Sequence, residues 1–210
     1  MKGIRKHGNW ICVLLILTLW GTSCGSVCQG VREEIIEEVK EEVKEEAKNK
    51  IIEVENKFMG TLIDTYLRSK ASGSPLIGQG HTFVAAGRKF NVDPRLLVAI
   101  AGHESSFARE ECQGQDSASI YNAWGWEALP PPCRPFDSWQ ESIWFITEKI
   151  ATGDIYFAKG RDTVEKMGAA WVCGPNASSC PDAKNWIDDV TYFIEWMGGD
   201  PNNLTFRVFE

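Results

Sequence analysis

Residues 80–107 read GHTFVAAGRKFNVDPRLLVAIAGHESSF, and the fold turns on how this stretch is parsed. Asp93-Pro94 sets an N-cap side chain before a proline at the first helical position, where a missing N–H is no loss, so a helix opens there and runs to Phe107. Upstream, Phe83, Val84, Gly87 and Phe90 recur at helical spacing and predict another helix over 78–90. Leu97, Ile100 and Glu104 stand three and four apart, which puts a carboxylate on the stripe facing the core. Two explanations fit a carboxylate there. It is half of a structural salt bridge, with Arg88, Arg95 or Arg109 as partner, or it is a general acid whose pKa is raised by desolvation. The last turn of a helix presents negative dipole, which also disfavours the ionised form. His103 lies about 100° round the helix from its neighbour and reads as structural.

The same grammar extends to the C-terminus. Ser138-x-x-Glu141 is a capping box before an amphipathic run through Trp144, Phe145, Thr147 and Ile150. A short helix follows near 163–171. Asp182 is placed to cap the last, whose stripe of Trp186, Ile187, Val190, Phe193, Ile194 and Met197 ends at Gly198-Gly199. No run alternates with period two for long enough to predict a strand. The fold class is mostly α: a helical domain over 75–198, set off by a linker at Ala71-Ser72-Gly73-Ser74-Pro75, with a C-terminal tail over 199–210.

Before the linker the chain changes character. Residues 31–70 contain no proline and one glycine, and apolar side chains recur at Ile36, Val39, Val43, Ala47, Ile51, Val54, Phe58 and Leu62. This is one apolar stripe on a long helix. The stripe belongs either to a self-associating coiled-coil stalk or to a long helix packed on its own domain. Its steps repeat after 11 residues, so a left-handed heptad supercoil is not clearly indicated. Residues 1–28 combine Lys2, Arg5, Lys6 and His7 with an uncharged apolar run from Ile11 to Trp20, the pattern of a signal peptide. A retained membrane anchor is the alternative; lipidation at Cys24 is a third reading, weakened by Gly21. All three place the rest of the chain outside the cytoplasm, secreted or tethered to the outer face of the membrane.

Cysteine usage agrees with that address. Cys112, Cys133, Cys173 and Cys180 remain beyond the leader, an even number in an exported domain, and neighbours pair most economically as Cys112–Cys133 and Cys173–Cys180. No CxxC and no histidine at ligand spacing supports a metal site, so neither metal nor cofactor is expected. From residue 71 onward 11 basic residues face 18 acidic ones, a net of −7, which excludes nucleic acid as a partner bound through its phosphates.

Seven of the nine tryptophans lie after residue 120, and most belong to amphipathic helices. Tyr121-Asn122-Ala123-Trp124-Gly125-Trp126 differs, because it sits in a loop between two cysteines. Sugar rings present apolar C–H faces to aromatic rings, so this loop reads as a binding surface, with Asn122 offering amide hydrogen bonds. Asp116 and Glu127 are loop carboxylates that could supply a second acidic group.

The stretch 80–107 resembles the start of the lysozyme-like domain of soluble lytic transglycosylases and related endo-β-N-acetylglucosaminidases. In that pattern an aspartate–proline helix ends in the catalytic glutamate, then serine, then an aromatic; Glu104, Ser105 and Phe107 match it. Asn122 through Trp126 is similar to the segment that glucosaminidase-type members place on the cleft floor, and Ala170-Trp171 with Gly174-Pro175-Asn176 resembles the later tyrosine-bearing motif. Two departures stand out. Gly125-Trp126-Glu127-Ala128 replaces the transglycosylase glycine–leucine–methionine–glutamine, and Trp171 replaces the tyrosine.

The resemblance implies an enzyme that cleaves a β-1,4 bond beside an N-acetylated amino sugar, with peptidoglycan as the cell-wall polysaccharide. It implies Glu104 as the catalytic acid and base, and Ser105, Tyr121, Asn122, Trp124, Trp126 and Trp171 as substrate-binding residues. A non-catalytic glycan-binding module on a surface stalk is the alternative; it would bind without needing Glu104. Asn176-Ala177-Ser178 and Asn203-Leu204-Thr205 are glycosylation sequons common by chance.

Overall fold

A computed structural model describes residues 25–110, 120–127 and 133–206. Among them the secondary structure is helical, with no strand. Helix α1 covers Gly25–Lys70 and crosses the boundary between two units, Met1–Lys50 and Ile51–Glu210. In the first unit the described side chains, 32–50, are all exposed. In the second, α1 docks through Ile63, Tyr66 and Leu67, whereas Ile51, Val54 and Phe58 face solvent. The apolar stripe is therefore not the face that packs on the domain. Among the described residues no helix is long and apolar enough to cross a membrane; residues 1–24, with most of the expected leader, lie outside them.

The second unit is built from α2 (Gly80–Phe90), α3 (Pro94–Ser105), α4 (Trp139–Thr152), α5 (Val164–Cys173) and α6 (Lys184–Trp196), with single 3₁₀ turns at Phe157–Lys159 and Pro181–Ala183. Two glycines set how α1 meets α2. A Cβ on Gly80 would stand 2.1 Å from the Gly60 carbonyl oxygen, and one on Gly60 would meet His81 at 2.7 Å. At this crossing the buried Asp64 carboxylate accepts the N–H groups of Gly78 (2.8 Å) and Gly80 (3.1 Å). It thereby serves the unpaired donors at the start of α2, which has no side-chain cap of its own.

Helix α3 is the centre of the domain. Asp93 caps it as expected, accepting the Arg95 N–H at 2.9 Å, and Arg95 reaches back to the Gly198 carbonyl at 2.7 Å. Every residue from Leu96 to Ala101 is buried, so α3 carries no polar face over this length. It packs against α6 on one side and α2 on another, and α2 in turn packs against α4. Helix α4 opens on Ser138, which accepts the Glu141 N–H at 3.1 Å; the return bond from the Glu141 carboxylate goes to the Asp137 N–H, one residue earlier than a capping box places it. Asp182 does not cap α6. It belongs to the preceding 3₁₀ turn, and α6 starts without a side-chain cap.

Both expected domain edges move. The stretch 71–75 is a packed turn rather than a linker: Ala71, Ser74 and Leu76 are buried, and the Ser74 hydroxyl donates to the Phe107 carbonyl at 2.6 Å. Residues 199–206 are not a free tail. Leu204 is fully buried, its carbonyl accepts the Asp93 N–H at 2.7 Å and its N–H donates to Asp162 at 3.0 Å. Small residues and turn formers look alike in sequence whether they span a gap or fill one.

Candidate active site

Helix α3 leaves the core at its C-terminal end, and Glu104 emerges there on the floor of a cleft of about 530 Å³. The cleft is walled by Trp126, Tyr156, Trp171 and Trp186, with His103 and Glu127 at its edges. The spacing with Leu97 and Ile100 predicts a core position for Glu104, but the residue is exposed. Among the described residues no arginine pairs with it. Arg88 pairs with Glu55 at 3.5 Å, Arg95 with Asp93, and Arg109 donates to its own chain at Ser106.

Two indoles come to it instead. The N–H of Trp171 donates to Oε1 at 2.8 Å, and the N–H of Trp186 donates to the same oxygen at 3.0 Å. Trp171 lies on α5 and Trp186 on α6, and the rings stack 5.9 Å apart. Burial of the carboxyl among these rings raises its pKa above the ordinary value. The bond from Trp171, the charge of His103 and the bond from Trp186 pull the other way without cancelling it. Glu104 is exposed as a residue, yet its carboxyl lies among aromatic rings, and it is this local desolvation that raises the pKa. Tyr156, against Trp171, is pushed up to about 12 chiefly by burial, so it keeps its proton near neutral pH.

Oε2 faces Gly125. A Cβ there would lie 3.5 Å from that oxygen, and the residue takes φ +60°, a left-handed backbone that favours glycine. The loop holding Gly125 is wound on Asn122, which is fully buried. The Asn122 amide donates to the carbonyls of Trp126 (2.9 Å) and Arg134 (3.0 Å), and its oxygen accepts the N–H groups of Trp124 (3.2 Å) and Trp126 (3.1 Å). Trp124 anchors the loop to α3 through its indole N–H, 2.9 Å from the Leu97 carbonyl.

Ser105 ties the end of α3 to this loop. Its buried hydroxyl lies 2.7 Å from the Ala123 carbonyl and 3.0 Å from the Ala101 carbonyl, and accepts the Ala108 N–H at 2.9 Å. The three residues after it, Ser106, Phe107 and Ala108, take φ of 51°, 61° and 62°. A run of left-handed non-glycine residues is strained, and here it is held by the Ser105 bonds and by Phe107 packing between Tyr66 and Phe193.

The expected binding residues therefore divide. Trp126 and Trp171 are half-buried cleft walls, and Trp124 borders the cleft but is 1% exposed with its N–H engaged. Ser105, Tyr121 and Asn122 do not line the cleft. Ser105 and Asn122 hydrogen-bond to backbone partners, and Tyr121 packs edge-on against Trp139 at 5.4 Å. Glu127 reaches the cleft edge while paired with Arg134 at 3.4 Å; Asp116 lies outside the described residues. His103 contacts Asp189 of α6 at 2.8 Å.

Trp186, Tyr156 and Gly125 also line the cleft, and no sequence pattern marks them as site residues. Trp186 shows only as a member of the α6 stripe, and Tyr156 lies in an irregular stretch with no pattern to mark it.

Cys173–Cys180 is a disulfide, as expected from spacing. Cys133 is also a disulfide cysteine, while Cys112, its expected partner, lies outside the described residues. Among the described residues no three His, Cys, Asp or Glu side chains gather as a metal site would require. In comparisons of the sequence with protein-family models and with curated proteins, no family model and no curated protein matches.

Proposed function

We propose that the second unit is an exported, lysozyme-like domain that cleaves β-1,4-glycosidic bonds of an N-acetylated cell-wall glycan, with peptidoglycan as the substrate. One observation carries this reading. Glu104 has a raised pKa, stands at an aromatic cleft, and accepts two neutral indole N–H groups, with no arginine among the described residues bonded to it. A structural ion pair would have matched the carboxylate with an arginine and lowered its pKa. A general acid needs the reverse.

The geometry suggests which oxygen acts. Oε1 accepts two N–H bonds, so the proton of the acid sits on Oε2, beside Gly125, where no side chain blocks it. In the proposed reaction Oε2 gives its proton to the glycosidic oxygen as the bond from that oxygen to the anomeric carbon breaks. The substrate's own 2-acetamido oxygen attacks the anomeric carbon, the route by which single-carboxylate glycosidases dispense with a protein nucleophile. The Glu104 carboxylate then takes a proton from water, or from the sugar 6-hydroxyl, as that oxygen bonds to the anomeric carbon and the bond to the acetamido oxygen breaks; water gives hydrolysis and the 6-hydroxyl a 1,6-anhydro product. The partly exposed faces of Trp126 and Trp171 are offered to the apolar faces of the sugar rings.

The deciding experiment compares wild type with Glu104→Gln on purified peptidoglycan, reading both binding and released sugar ends. Loss of cleavage by roughly 10²–10⁴-fold with binding intact is expected. Equal cleavage by both proteins refutes the assignment of the acid. Binding by both with cleavage by neither makes the domain a glycan-binding module instead.

A further inference from the structure

Between α4 and α5 the chain makes a tight turn that carries Tyr156 to the cleft wall. The Tyr156 carbonyl accepts the N–H groups of Lys159 (2.9 Å) and Arg161 (3.1 Å). The Arg161 guanidinium donates to the carbonyls of Ile155 (2.8 Å) and Pro175 (3.0 Å), and the second bond ties the turn to the loop closed by the Cys173–Cys180 bridge. Tyr156 is thus held by its backbone, and its ring packs on Trp171 with the centroids 5.5 Å apart.

The hydroxyl of this side chain has no use in the fold. Tyr156 is 6% exposed, yet among the described residues none bonds to its hydroxyl, and that oxygen is not sealed from solvent. The residue borders the cleft of Glu104, so the opening is into the cleft. A buried phenol hydroxyl normally finds a partner, and here the partner has to come from what enters the cleft. The group keeps its proton near neutral pH, and the charge of the Glu104 carboxylate helps to keep it there. It is a neutral donor close to the acid. Beside it, Ile155 and Val172 present apolar surface to the same cleft.

A carbonyl oxygen with a methyl group next to it satisfies both features. We propose that the Tyr156 hydroxyl donates to the carbonyl oxygen of the substrate's 2-acetamido group, with Ile155 and Val172 against its methyl, so that the cleft selects N-acetylated sugars over sugars with a hydroxyl at that carbon. The inference rests on the glycan-cleaving reading of Glu104. In that reaction the acetamido oxygen attacks the anomeric carbon, and an amide oxygen has two lone pairs. One takes the Tyr156 bond while the other is turned to the anomeric carbon, and no proton leaves Tyr156. A 2-hydroxyl oxygen stands two bonds closer to the sugar ring and leaves the Tyr156 hydroxyl unpaired. A polar group stranded in this way discriminates more strongly than a lost apolar contact.

Tyr156→Phe removes the donor and keeps the ring. Binding is measured by calorimetry on the full chain in a Glu104→Gln background, so that nothing is cleaved, with β-1,4-linked tetramers of N-acetylglucosamine and of glucose as probes. The N-acetylglucosamine tetramer should bind the tighter, and Tyr156→Phe should weaken it by roughly 3–10-fold while leaving the glucose tetramer unchanged. The variant should melt at or above the temperature of its parent, since no bond within the fold is lost. Equal affinity for the two tetramers, or an equal response of both to the substitution, overturns the inference and leaves the glycan reading standing. A lower melting temperature overturns it by making the hydroxyl structural. A loss seen only with peptide-bearing peptidoglycan fragments assigns the hydroxyl to a peptide carbonyl, and the acetamido assignment falls. Binding of neither the tetramers nor those fragments removes the inference together with the glycan reading.

Discussion

The indole N–H of Trp171 meets Oε1 of Glu104 at 2.8 Å, across 67 residues of chain and between two helices that share no sequence pattern. Trp171 stands two residues before Cys173, whose disulfide to Cys180 closes the connection leading into α6, and α6 brings Trp186 to the same oxygen. The orientation of the carboxyl is thus set by how α5 and α6 are joined as much as by α3, which carries it.

Stability should report the state of Glu104 independently of any substrate. Its folded pKa is raised, so the native state binds more protons than the unfolded chain between the ordinary carboxyl value and the raised one. Its contribution is fully present below the unfolded pKa and is lost as pH rises through the folded one. Glu104→Gln cannot titrate, yet its oxygen can accept both indole bonds. The melting temperature of wild type should therefore fall relative to the variant as pH rises from acid to neutral. A variant that is the less stable of the two at pH 7 would mean that the ionised carboxylate is stabilising, and would restore the salt-bridge reading.

Trp171→Phe keeps most of the ring and removes the donor. The bond it loses favours the ionised carboxylate, so the pKa of Glu104 should rise further and the alkaline limb of the pH–rate profile should move to higher pH. Trp186→Phe should shift the limb the same way while destabilising the fold by about 1–3 kcal/mol, because Trp186 is 1% exposed and a smaller ring leaves a cavity. Profiles of cleavage by the two variants, set beside their denaturation midpoints, separate the effects. An unmoved limb in both would show that the indoles do not tune the acid.

Ser105→Ala should act through structure. It strands the buried Ala108 N–H and weakens the tie to the Ala123 carbonyl, at a cost of about 1–3 kcal/mol. The left-handed turn over 106–108 should loosen with it. Denaturant unfolding checks the magnitude, and a loss of glycan affinity with unchanged stability would instead return Ser105 to the substrate.

Cys173 and Cys180 are seven residues apart, and a loop of that size contributes about 2–3 kcal/mol in the chain-entropy model. The double variant Cys173→Ser, Cys180→Ser should melt lower and lose activity out of proportion to the unfolded fraction, because Trp171 and Trp186 lie on either side of the bridge. Full activity in the folded double variant would show that the two indoles are positioned without it.

Much of the fold was legible because it is local. Asp93-Pro94 and Ser138 act on residues within one turn, and the cap bonds appear where the spacing predicts them. The same spacing misled at Glu104: a helix buried all round gives no face to read, so periodicity with Leu97 could not tell a core position from the point where α3 comes out of the core. At Asn122 and Ser105 the residue types were correct signals of a special loop, but hydrogen-bonding groups do not announce whether they serve a ligand or the backbone.

By itself the sequence determined the helical class and the starts of α3 and α4, and it pointed to the close-spaced disulfide and to an unusual carboxylate, since each follows from interactions among near neighbours. Tertiary structure alone decided that α1 grips the domain by a face other than its apolar stripe, that Leu204 anchors the segment 199–206 to the core, and that Trp171 and Trp186 share one oxygen of Glu104. The last of these joins Glu104 to residues 67 and 82 positions away. Only the packing of α3, α5 and α6 brings them within hydrogen-bonding distance, and no period or propensity along the chain encodes that meeting.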